Sequence, residues 1–296
     1  MVSFALLTIV LSLIRISISK PTASKSIETR QVYWQPQPPL KWQIVSNSDI
    51  GDPNLPGIDV YDVDLYSISQ EDLNTLKKNG KKVICYFSAG TWEDWRPDAD
   101  QFDKTELGNE VGKGEFTDEG FWPGEYWLNI RSQSVVDRMI ARLQDAKDKG
   151  CDGVDPDNID GFDKDRLAPR AQDPQPNQSS RATTGFSFTQ TDAIVFLQDL
   201  AAEAHQRGLS IGVKNSLPIL DQVSSLVDYA INEQCVANAE CAMYEAFLNS
   251  NKPVFHVEYA STDDLSTVSE DEIRNSCASD GVSLISPIVK THALDS

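Results

Sequence analysis

The sequence predicts an α/β protein that folds as a single-domain (β/α)8 barrel, the TIM-barrel architecture, and three observations support this prediction. The chain has 296 residues, of which 40% are apolar, enough for one barrel domain of roughly 250 residues. Short runs rich in β-branched and apolar residues alternate with longer runs of helical periodicity, as parallel βαβ units require. The short runs number eight, which favours a closed barrel.

The eight predicted strands are spread over most of the chain. They are Trp42–Val45, Asp59–Leu65, Lys82–Phe87, Gly153–Asp157, Ser210–Lys214, Tyr229–Glu233, Pro253–Glu258 and Val282–Ser286. The segments between them carry helix signals. Ser69 and Asp72 form a capping pattern ahead of an apolar stripe, and Gly80 stands where that helix should end. Apolar stripes of this kind predict helices packed against the barrel rather than binding grooves.

The barrel domain is predicted to cover residues 40–296, after two segments of different character. Residues 1–19 contain an apolar run followed by small residues, which predicts a secretory signal peptide and an extracellular protein; an uncleaved membrane anchor is the alternative. Residues 20–39 are rich in Pro, Ser, Thr and charge, which predicts a disordered linker. Within the barrel, residues 163–187 form a polar, Pro-containing insertion with a possible glycosylation site at Asn177.

The chain is strongly acidic, with a formal net charge of −19. This charge repels nucleic acid phosphates and anionic lipids, so we expect neither nucleic acid nor, after signal cleavage, a membrane as a partner. A cationic ligand suits such a surface, although acidity can also serve solubility alone. We expect the protein to act as a monomer.

The five cysteines and three histidines predict disulfide bonds rather than a metal site. Cys85 and Cys151 lie beside apolar runs and are either buried thiols or one long-range pair, whereas Cys235 and Cys241 share a loop and could form a bridge. One thiol is left over. No His stands at zinc-ligand spacing from these cysteines, so no metal or other cofactor is predicted.

The carboxyl ends of the fourth and sixth strands carry the acids on which the functional prediction depends. In a parallel barrel the active site lies at these ends, and Asp157 and Glu233 end strands that are two apart. Hydrolysis of a glycosidic bond needs one carboxyl group to protonate the leaving oxygen and another to act as nucleophile or base. The sequence therefore predicts Asp157 and Glu233 as a catalytic pair, whose separation decides between retention and inversion.

Several motifs lie at or beyond the predicted strand ends. They are Asp62-Val63-Asp64, Cys85-Tyr86-Phe87-Ser88-Ala89-Gly90-Thr91-Trp92-Glu93, Trp127-Leu128-Asn129, Asp152-Gly153-Val154 with Asp157-Asn158, Lys214-Asn215, and Asn232-Glu233-Gln234-Cys235. Together they resemble glycoside hydrolase family 114, the endo-α-1,4-polygalactosaminidases, from Trp42 to about Tyr259. The resemblance implies a secreted microbial enzyme, of fungal type, with Asp157 and Glu233 as its catalytic carboxylates.

The resemblance also implies a substrate and a mechanism. The substrate is a cationic amino-sugar polysaccharide, a partly deacetylated galactosaminogalactan-type polymer cut at internal α-1,4 linkages. With retention as the preferred outcome, Asp157 is the nucleophile and Glu233, kept protonated, is the acid/base. The reverse assignment stays open. The insertion at 163–187 departs from the shorter family pattern and leaves the number of sugar subsites open.

Ten further residues at or near strand ends are predicted to bind the substrate. They are Asp62, Asp64, Tyr86, Trp92, Asp155, Asn158, Lys214, Asn232, Glu258 and Tyr259. The acids are expected to hold substrate amines by charge-assisted hydrogen bonds, and the rings of Tyr86 and Trp92 to stack on sugars. An ion pair with Lys214 is the alternative for Glu258, and a solvated strand edge is the alternative for the two acids of the second strand.

Two other functions are compatible with the same fold. One is a barrel glycosidase or deacetylase for another amino sugar or a galactoside, and the other is a secreted polysaccharide-binding barrel without activity. A Ser-His-Asp hydrolase is disfavoured, because none of the three His residues has an evident Ser partner.

Overall fold

The computed structural model describes residues 32–46, 49–112, 122–166, 183–262, 264–278, 284–292 and 294. The predicted signal peptide, the first part of the predicted linker and Asn177 lie outside the described residues. Among the described residues, no helix combines the length and the hydropathy that crossing a membrane requires.

Within these residues the chain forms eleven strands and seven α-helices. The strands are β1 (Trp42–Val45), β2 (Val60–Asp64), β3 (Lys82–Ser88), β4 (Thr91–Glu93), β5 (Leu107–Glu110), β6 (Glu125–Leu128), β7 (Gly153–Asp157), β8 (Ser210–Lys214), β9 (Tyr229–Glu233), β10 (Val254–Tyr259) and β11 (Ile285–Lys290). The helices are α1 (Gln70–Lys78), α2 (Gln133–Lys149), α3 (Gly161–Arg166), α4 (Gln190–Arg207), α5 (Leu220–Val223), α6 (Glu245–Asn249) and α7 (Glu270–Ser276).

Eight of the strands form one parallel sheet that curls into a barrel. The strand order is β1-β2-β3-β7-β8-β9-β10-β11, and each neighbouring pair is parallel. The indole Nε1 of Trp42 in β1 donates to the carbonyl of Ser286 in β11 at 2.8 Å, so the first and last strands meet and the barrel is nearly closed. The predicted (β/α)8 barrel is confirmed.

The last strand is displaced from its predicted position. The prediction placed it at Val282–Ser286, whereas β11 covers Ile285–Lys290. Pro287 argues against a strand at this position, because proline cannot donate to the ladder. The strand forms here because β11 pairs with β10 alone, and a strand with a ladder on one side tolerates proline.

Side-chain alternation along the strands divides the core into two regions. The region inside the barrel consists of Trp42, Ile44, Val60, Ile84, Tyr229, Ile231, Phe255 and Val257. The larger region lies between the strands and the helices, and it includes Val63, Phe87 and Val213. The inward side of β9 and β10 continues from Ile231 and Val257 to Glu233 and Tyr259 at the carboxyl end.

Helix ends place the strands that follow them. At the start of α1, the Ser69 side chain accepts a hydrogen bond from the Asp72 backbone N–H at 3.0 Å. The α2 and α4 helices end at Gly150 and Gly208, whose φ angles are 99° and 78°. Because side chains disfavour this left-handed conformation, glycine allows each helix to turn at once into β7 or β8.

The ordered domain begins before the predicted residue 40. The Tyr33 ring stacks on His205 with centroids 4.4 Å apart, Trp34 packs against the apolar region inside the barrel, and Pro36 is buried. Two aromatic rings in a Pro-rich segment bury enough apolar surface to hold it against the barrel. The linker prediction as far as residue 39 was based on composition, which does not show that individual aromatic rings pack against the barrel.

Four cysteines form disulfides and fix two parts of the barrel. Cys85 in β3 is bonded to Cys151 just before β7, which selects the long-range pair from the two alternatives, and Cys235 is bonded to Cys241 in the loop after β9. Cys277 is free and exposed.

The ends of the predicted insertion are held together by one side chain. The Asp165 carboxylate accepts hydrogen bonds from the backbone and the hydroxyl of Thr184 and from the backbone of Phe188, at 2.6 to 2.9 Å. Residues 167–182 lie outside the described part of the chain.

Candidate active site

The carboxyl end of the barrel holds a buried lysine facing three carboxylates. The Nζ atom of Lys214 lies 3.3 Å from Oδ2 of Asp157, 3.9 Å from Oε2 of Glu233 and 3.6 Å from Oδ2 of Asp155. The Lys214 side chain is 3% exposed, whereas those of Asp157 and Glu233 are 18% and 27% exposed. The two predicted catalytic acids therefore share one buried counter-charge and both open toward solvent.

Glu233 is held in position by two neighbouring strands. Its Oε2 accepts a hydrogen bond from Nδ2 of Asn215 at 2.9 Å, and its backbone N–H donates to Oδ1 of the same amide at 3.0 Å. Its Oε1 accepts a hydrogen bond from the Tyr259 hydroxyl. Both carboxylate oxygens are thus fixed before any substrate enters.

The residue after each site strand adopts a left-handed backbone conformation. Asn158, Asn215 and Gln234 have φ angles of 62°, 49° and 63°. This conformation is uncommon for residues other than glycine, and asparagine tolerates it better than most. It turns the chain sharply after Asp157, Lys214 and Glu233, so their side chains stand at the rim of the barrel.

The charges in this site shift one another's protonation. Burial acts to raise the pKa of Glu233, but the Lys214 ammonium and the hydrogen bonds from Tyr259 and Asn215 outweigh it and hold that pKa below its usual value. Burial alone would lower the pKa of Lys214, yet the surrounding carboxylates raise it well above its usual value. In the ligand-free protein Glu233 is therefore ionised beside a firmly protonated lysine. The prediction that Glu233 is kept protonated is wrong for this state, because the nearby ammonium and the two hydrogen bonds outweigh burial.

Asp62 and Asp155 lie beneath the site and are fully buried. Burial raises the pKa of Asp155 to about 7, with Lys214 opposing the shift and Asp157 adding to it. Burial, followed by the charge of Asp155, raises the pKa of Asp62 well above its usual value, and among the described residues no group donates a hydrogen bond to the Asp62 carboxyl. Both residues influence the site through charge rather than through contact with a sugar.

Asp64 is near the site, but its carboxylate is buried and already paired. It accepts hydrogen bonds from Nη1 of Arg96 at 2.6 Å and from the backbones of Tyr66 and Ser67 at 2.9 and 2.8 Å. Arg96 also forms a bidentate pair with Glu93 at 2.6 and 2.8 Å. Both Asp64 oxygens are therefore occupied by donors of the protein itself, which disfavours its predicted contact with a substrate amine.

Asn232 and Glu258 do not join the site. Successive side chains of a strand point to opposite faces, so these two residues face away from the inside of the barrel, where their neighbours Glu233 and Tyr259 lie. Glu258 lies 3.0 Å from Nε2 of His256 and accepts a hydrogen bond from the Val236 backbone at 2.8 Å. Nδ1 of His256 lies 3.1 Å from Oδ1 of Asn232. The cluster supports the loop that follows Glu233, and the side chain beside the Glu258 carboxylate is His256 rather than Lys214.

The remaining predicted residues divide between the site and the core. Tyr86 is half-buried with Lys214 5.5 Å from its ring centroid, and Asn158 and Tyr259 lie at the rim. The Trp92 ring is buried, donates from Nε1 to the Ala99 carbonyl at 2.9 Å, and has Lys104 3.5 Å from its centroid. Its faces are therefore occupied, and it does not offer the sugar platform that was predicted.

A second, three-stranded sheet above the barrel was not foreseen. Its order is β4-β6-β5, it is antiparallel, and it pairs Glu93 with Glu125. Glu125 accepts hydrogen bonds from Thr91 and, at 3.3 Å, from Asn158. Its strands are three or four residues long, too short for a period-two pattern to stand out.

Gly90 lets this sheet approach the catalytic strand. Its N–H donates to the Asp157 carbonyl at 3.0 Å, and a Cβ added to it would lie 1.7 Å from the Asn158 carbonyl oxygen. We expect Gly90→Ala to lower kcat about 100-fold, because displacement of a catalytic group by roughly 1 Å has an effect of that size.

Gly80→Ala is the matched control for kcat measurements on Gly90→Ala. A Cβ at Gly80 would meet nothing within 4 Å, although the φ of 77° strains any side chain. This control should lower the melting temperature slightly and leave kcat unchanged. Wild-type kcat in Gly90→Ala would contradict the role given to the close approach.

Among the described residues, no group of three or more His, Cys, Asp or Glu side chains is arranged to hold a metal ion. The site is instead a rim of carboxylates around one buried ammonium, which is the arrangement that a two-carboxylate hydrolysis of a glycosidic bond needs.

Comparison with known proteins identifies the family. The model of glycoside-hydrolase family GH114 matches residues 23–296. The chain belongs to glycoside hydrolase family 114. It is therefore a glycoside hydrolase, as the sequence motifs predicted. No curated protein sequence matches the chain.

Two solved structures have the same fold over nearly their whole length. Ega3 of Aspergillus fumigatus, crystallised in complex with galactosamine, is 38% identical with a TM-score of 0.76, and the match covers 89% of this chain and 96% of Ega3. The glycoside hydrolase domain of PelA from Pseudomonas aeruginosa is 15% identical with a TM-score of 0.59, covering 88% and 97% of the two chains. The PelA domain supports the fold alone.

Proposed function

We propose that this family 114 member is a secreted, monomeric endo-glycosidase. It cleaves α-1,4-galactosaminidic linkages in partly deacetylated galactosaminogalactan-type polysaccharide, with retention of configuration. The observation that carries the proposal is the convergence of Asp157 and Glu233 on Lys214, in a chain 38% identical to a protein crystallised with galactosamine. The net charge of −19 suits a polymer of ammonium groups.

Secretion is supported by the cysteines. Four of the five are joined in two disulfides, and such bonds persist in oxidising compartments outside the cytosol.

The geometry favours retention. Oδ2 of Asp157 and Oε2 of Glu233 lie 3.3 and 3.9 Å from one nitrogen, so these two oxygens are at most about 7 Å apart, and a short gap of this kind supports retention. Inverting enzymes need a wider gap because a water molecule stands between the base and the sugar.

In the proposed mechanism, Glu233 first takes up a proton, as acidic conditions allow, and gives it to the departing glycosidic oxygen while Asp157 attacks the anomeric carbon. The C–O bond to the leaving sugar breaks as an ester bond to Asp157 forms. Glu233, now a carboxylate, takes a proton from water as that water attacks the anomeric carbon and releases Asp157. Lys214 stabilises the carboxylate charge at each stage, and Asn215 and Tyr259 keep Glu233 oriented.

Release of reducing ends from two matched polymers tests this proposal. Purified enzyme should release them from deacetylated polygalactosamine at least tenfold faster than from the same polymer after full N-acetylation, because only the former carries ammonium groups. Asp157→Asn serves as the inactive control. Equal rates on both polymers would indicate another amino sugar or galactoside, and no release by the wild type would indicate a binding protein.

A further inference from the structure

Glu125 is a buried carboxylate that the catalytic mechanism does not use. It lies on β6, is 7% exposed, and accepts hydrogen bonds from Thr91 and from Nδ2 of Asn158, both through Oε1. Asn158 directly follows Asp157, and its backbone N–H donates to Oδ1 of Asp157 at 2.7 Å. One residue therefore connects Glu125 to the proposed nucleophile.

Several carboxylates around the site have a cationic side chain as partner. Arg96 pairs with Asp64 and Glu93, and Lys214 faces the catalytic pair and Asp155. Among the described residues, no cationic side chain forms a salt bridge with Glu125. A buried carboxylate without a counter-charge is costly, and a bound cation would relieve that cost.

Geometry connects this carboxylate to the cleft. Asn158, which donates to Glu125 and directly follows Asp157, is partly exposed, as is Tyr86. Burial raises the pKa of Glu125 to about 7, against the Thr91 hydrogen bond and the charge of Arg96.

We propose that Glu125 binds the ammonium group of a galactosamine residue beside the catalytic pair and thereby selects deacetylated over acetylated sugar. This inference rests on the proposed function and names the residue that recognises the amino group of the substrate. A protonated primary amine supplies the missing positive charge and a charge-assisted hydrogen bond. An N-acetyl group carries no charge and needs more space.

The other acids near the opening are less suited to this role. Asp62 and Asp155 are fully buried, Asp64 and Glu93 are paired with Arg96, and Glu258 lies on the outward side of β10 against His256. The catalytic carboxylates are committed to the glycosidic bond.

Steady-state kinetics of Glu125→Gln on deacetylated and N-acetylated polymer test the assignment. The kcat/KM on deacetylated polymer divided by the kcat/KM on N-acetylated polymer should fall about tenfold. Most of this fall should come from a higher KM on the deacetylated polymer, because the variant loses one charge-assisted hydrogen bond. Glu125→Asp, which keeps the charge on a shorter side chain, should recover part of the ratio. Equal losses on both polymers would overturn the inference, since they indicate a positioning role.

Asp94→Asn is the matched control, because it removes one negative charge from an exposed residue that directly follows Glu93 at the end of β4. It should leave the ratio unchanged. If both variants lowered the ratio equally, the overall negative charge of the protein rather than Glu125 would attract the polymer, and the inference would be wrong.

A binding measurement separates this inference from the proposed function. In an Asp157→Asn background, calorimetry with a galactosamine oligomer should give about tenfold weaker binding when Glu125→Gln is added, and the N-acetylated oligomer should show no such change. If the wild type cleaved neither polymer but this difference held, the proposed function would fail and the inference would stand. Unchanged binding of the galactosamine oligomer would refute the inference whatever the activity.

Discussion

Glu233→Gln is expected to lower kcat on the polymer about 1,000-fold and to retain most of kcat/KM on an aryl galactosaminide with a good leaving group, because kcat/KM reports the first step and not the later attack of water. A sugar oxygen needs a proton in order to leave, and general-acid catalysis contributes effects of this size. A stable phenolate leaves without one. Asp157→Asn should instead lose about 10,000-fold on both substrates, because the bond to the anomeric carbon no longer forms. Both replacements keep the shape of the side chain.

The leaving-group comparison distinguishes the two assignments of the catalytic pair. If Asp157→Asn kept its activity on the aryl substrate and Glu233→Gln lost it, the roles would be reversed. Asp221→Asn, at an exposed position on α5, is the control for loss of a carboxylate as such and should retain wild-type rates on both substrates.

The barrel and the catalytic pair could be predicted because their signals are local. Each strand reads as a short apolar run, and Asp157 and Glu233 stand at the ends of two such runs. Residues near the ends of parallel strands in one barrel must converge, whatever the details of packing. The position of the last strand was less accessible, because β11 contains Pro287, which is tolerated there only since the strand has a ladder on one side.

The outward orientation of Asn232 and Glu258 could also have been predicted from the sequence. Asn232 directly precedes Glu233, and Glu258 directly precedes Tyr259, so only one member of each pair can face the inside of the barrel. Choosing Glu233 and Tyr259 as inward residues assigns their neighbours to the outer layer, where His256 is found.

The charge balance at the rim could not be predicted, because it depends on contacts between distant segments. Arg96 reaches Asp64 across 32 positions of sequence, and Glu125 comes beside Asn158 only when β6 pairs with β4. Asp64 was predicted to bind substrate amines but is paired with Arg96, whereas Glu125 was not predicted as a site residue at all. In sequence the two carboxylates look alike, and only their partners distinguish them.

Lys214→Met is expected to lower kcat/KM about 100-fold and to move the basic limb of its pH profile to higher pH. The basic limb reports loss of the proton from the acid of the free enzyme, which is Glu233 in the proposed mechanism. Lys214 helps to hold the pKa of Glu233 below its usual value, so the wild type should work best under acidic conditions. Without the ammonium, burial and the neighbouring carboxylates raise that pKa, and Glu233 keeps its proton to higher pH.

The loss of rate in Lys214→Met has a separate cause from the shift in pH dependence. Without the Lys214 ammonium, the buried cation that faces both Asp157 and Asp155 is gone, so the nucleophile loses the charge partner that holds it in place. Lys252→Met is the matched control, because Lys252 donates to the backbone carbonyls of Ser224 and Val227, away from the site. It should lower the melting temperature without changing the pH profile. A basic limb that stayed in place or moved to lower pH in Lys214→Met would mean that the group titrating there is not Glu233.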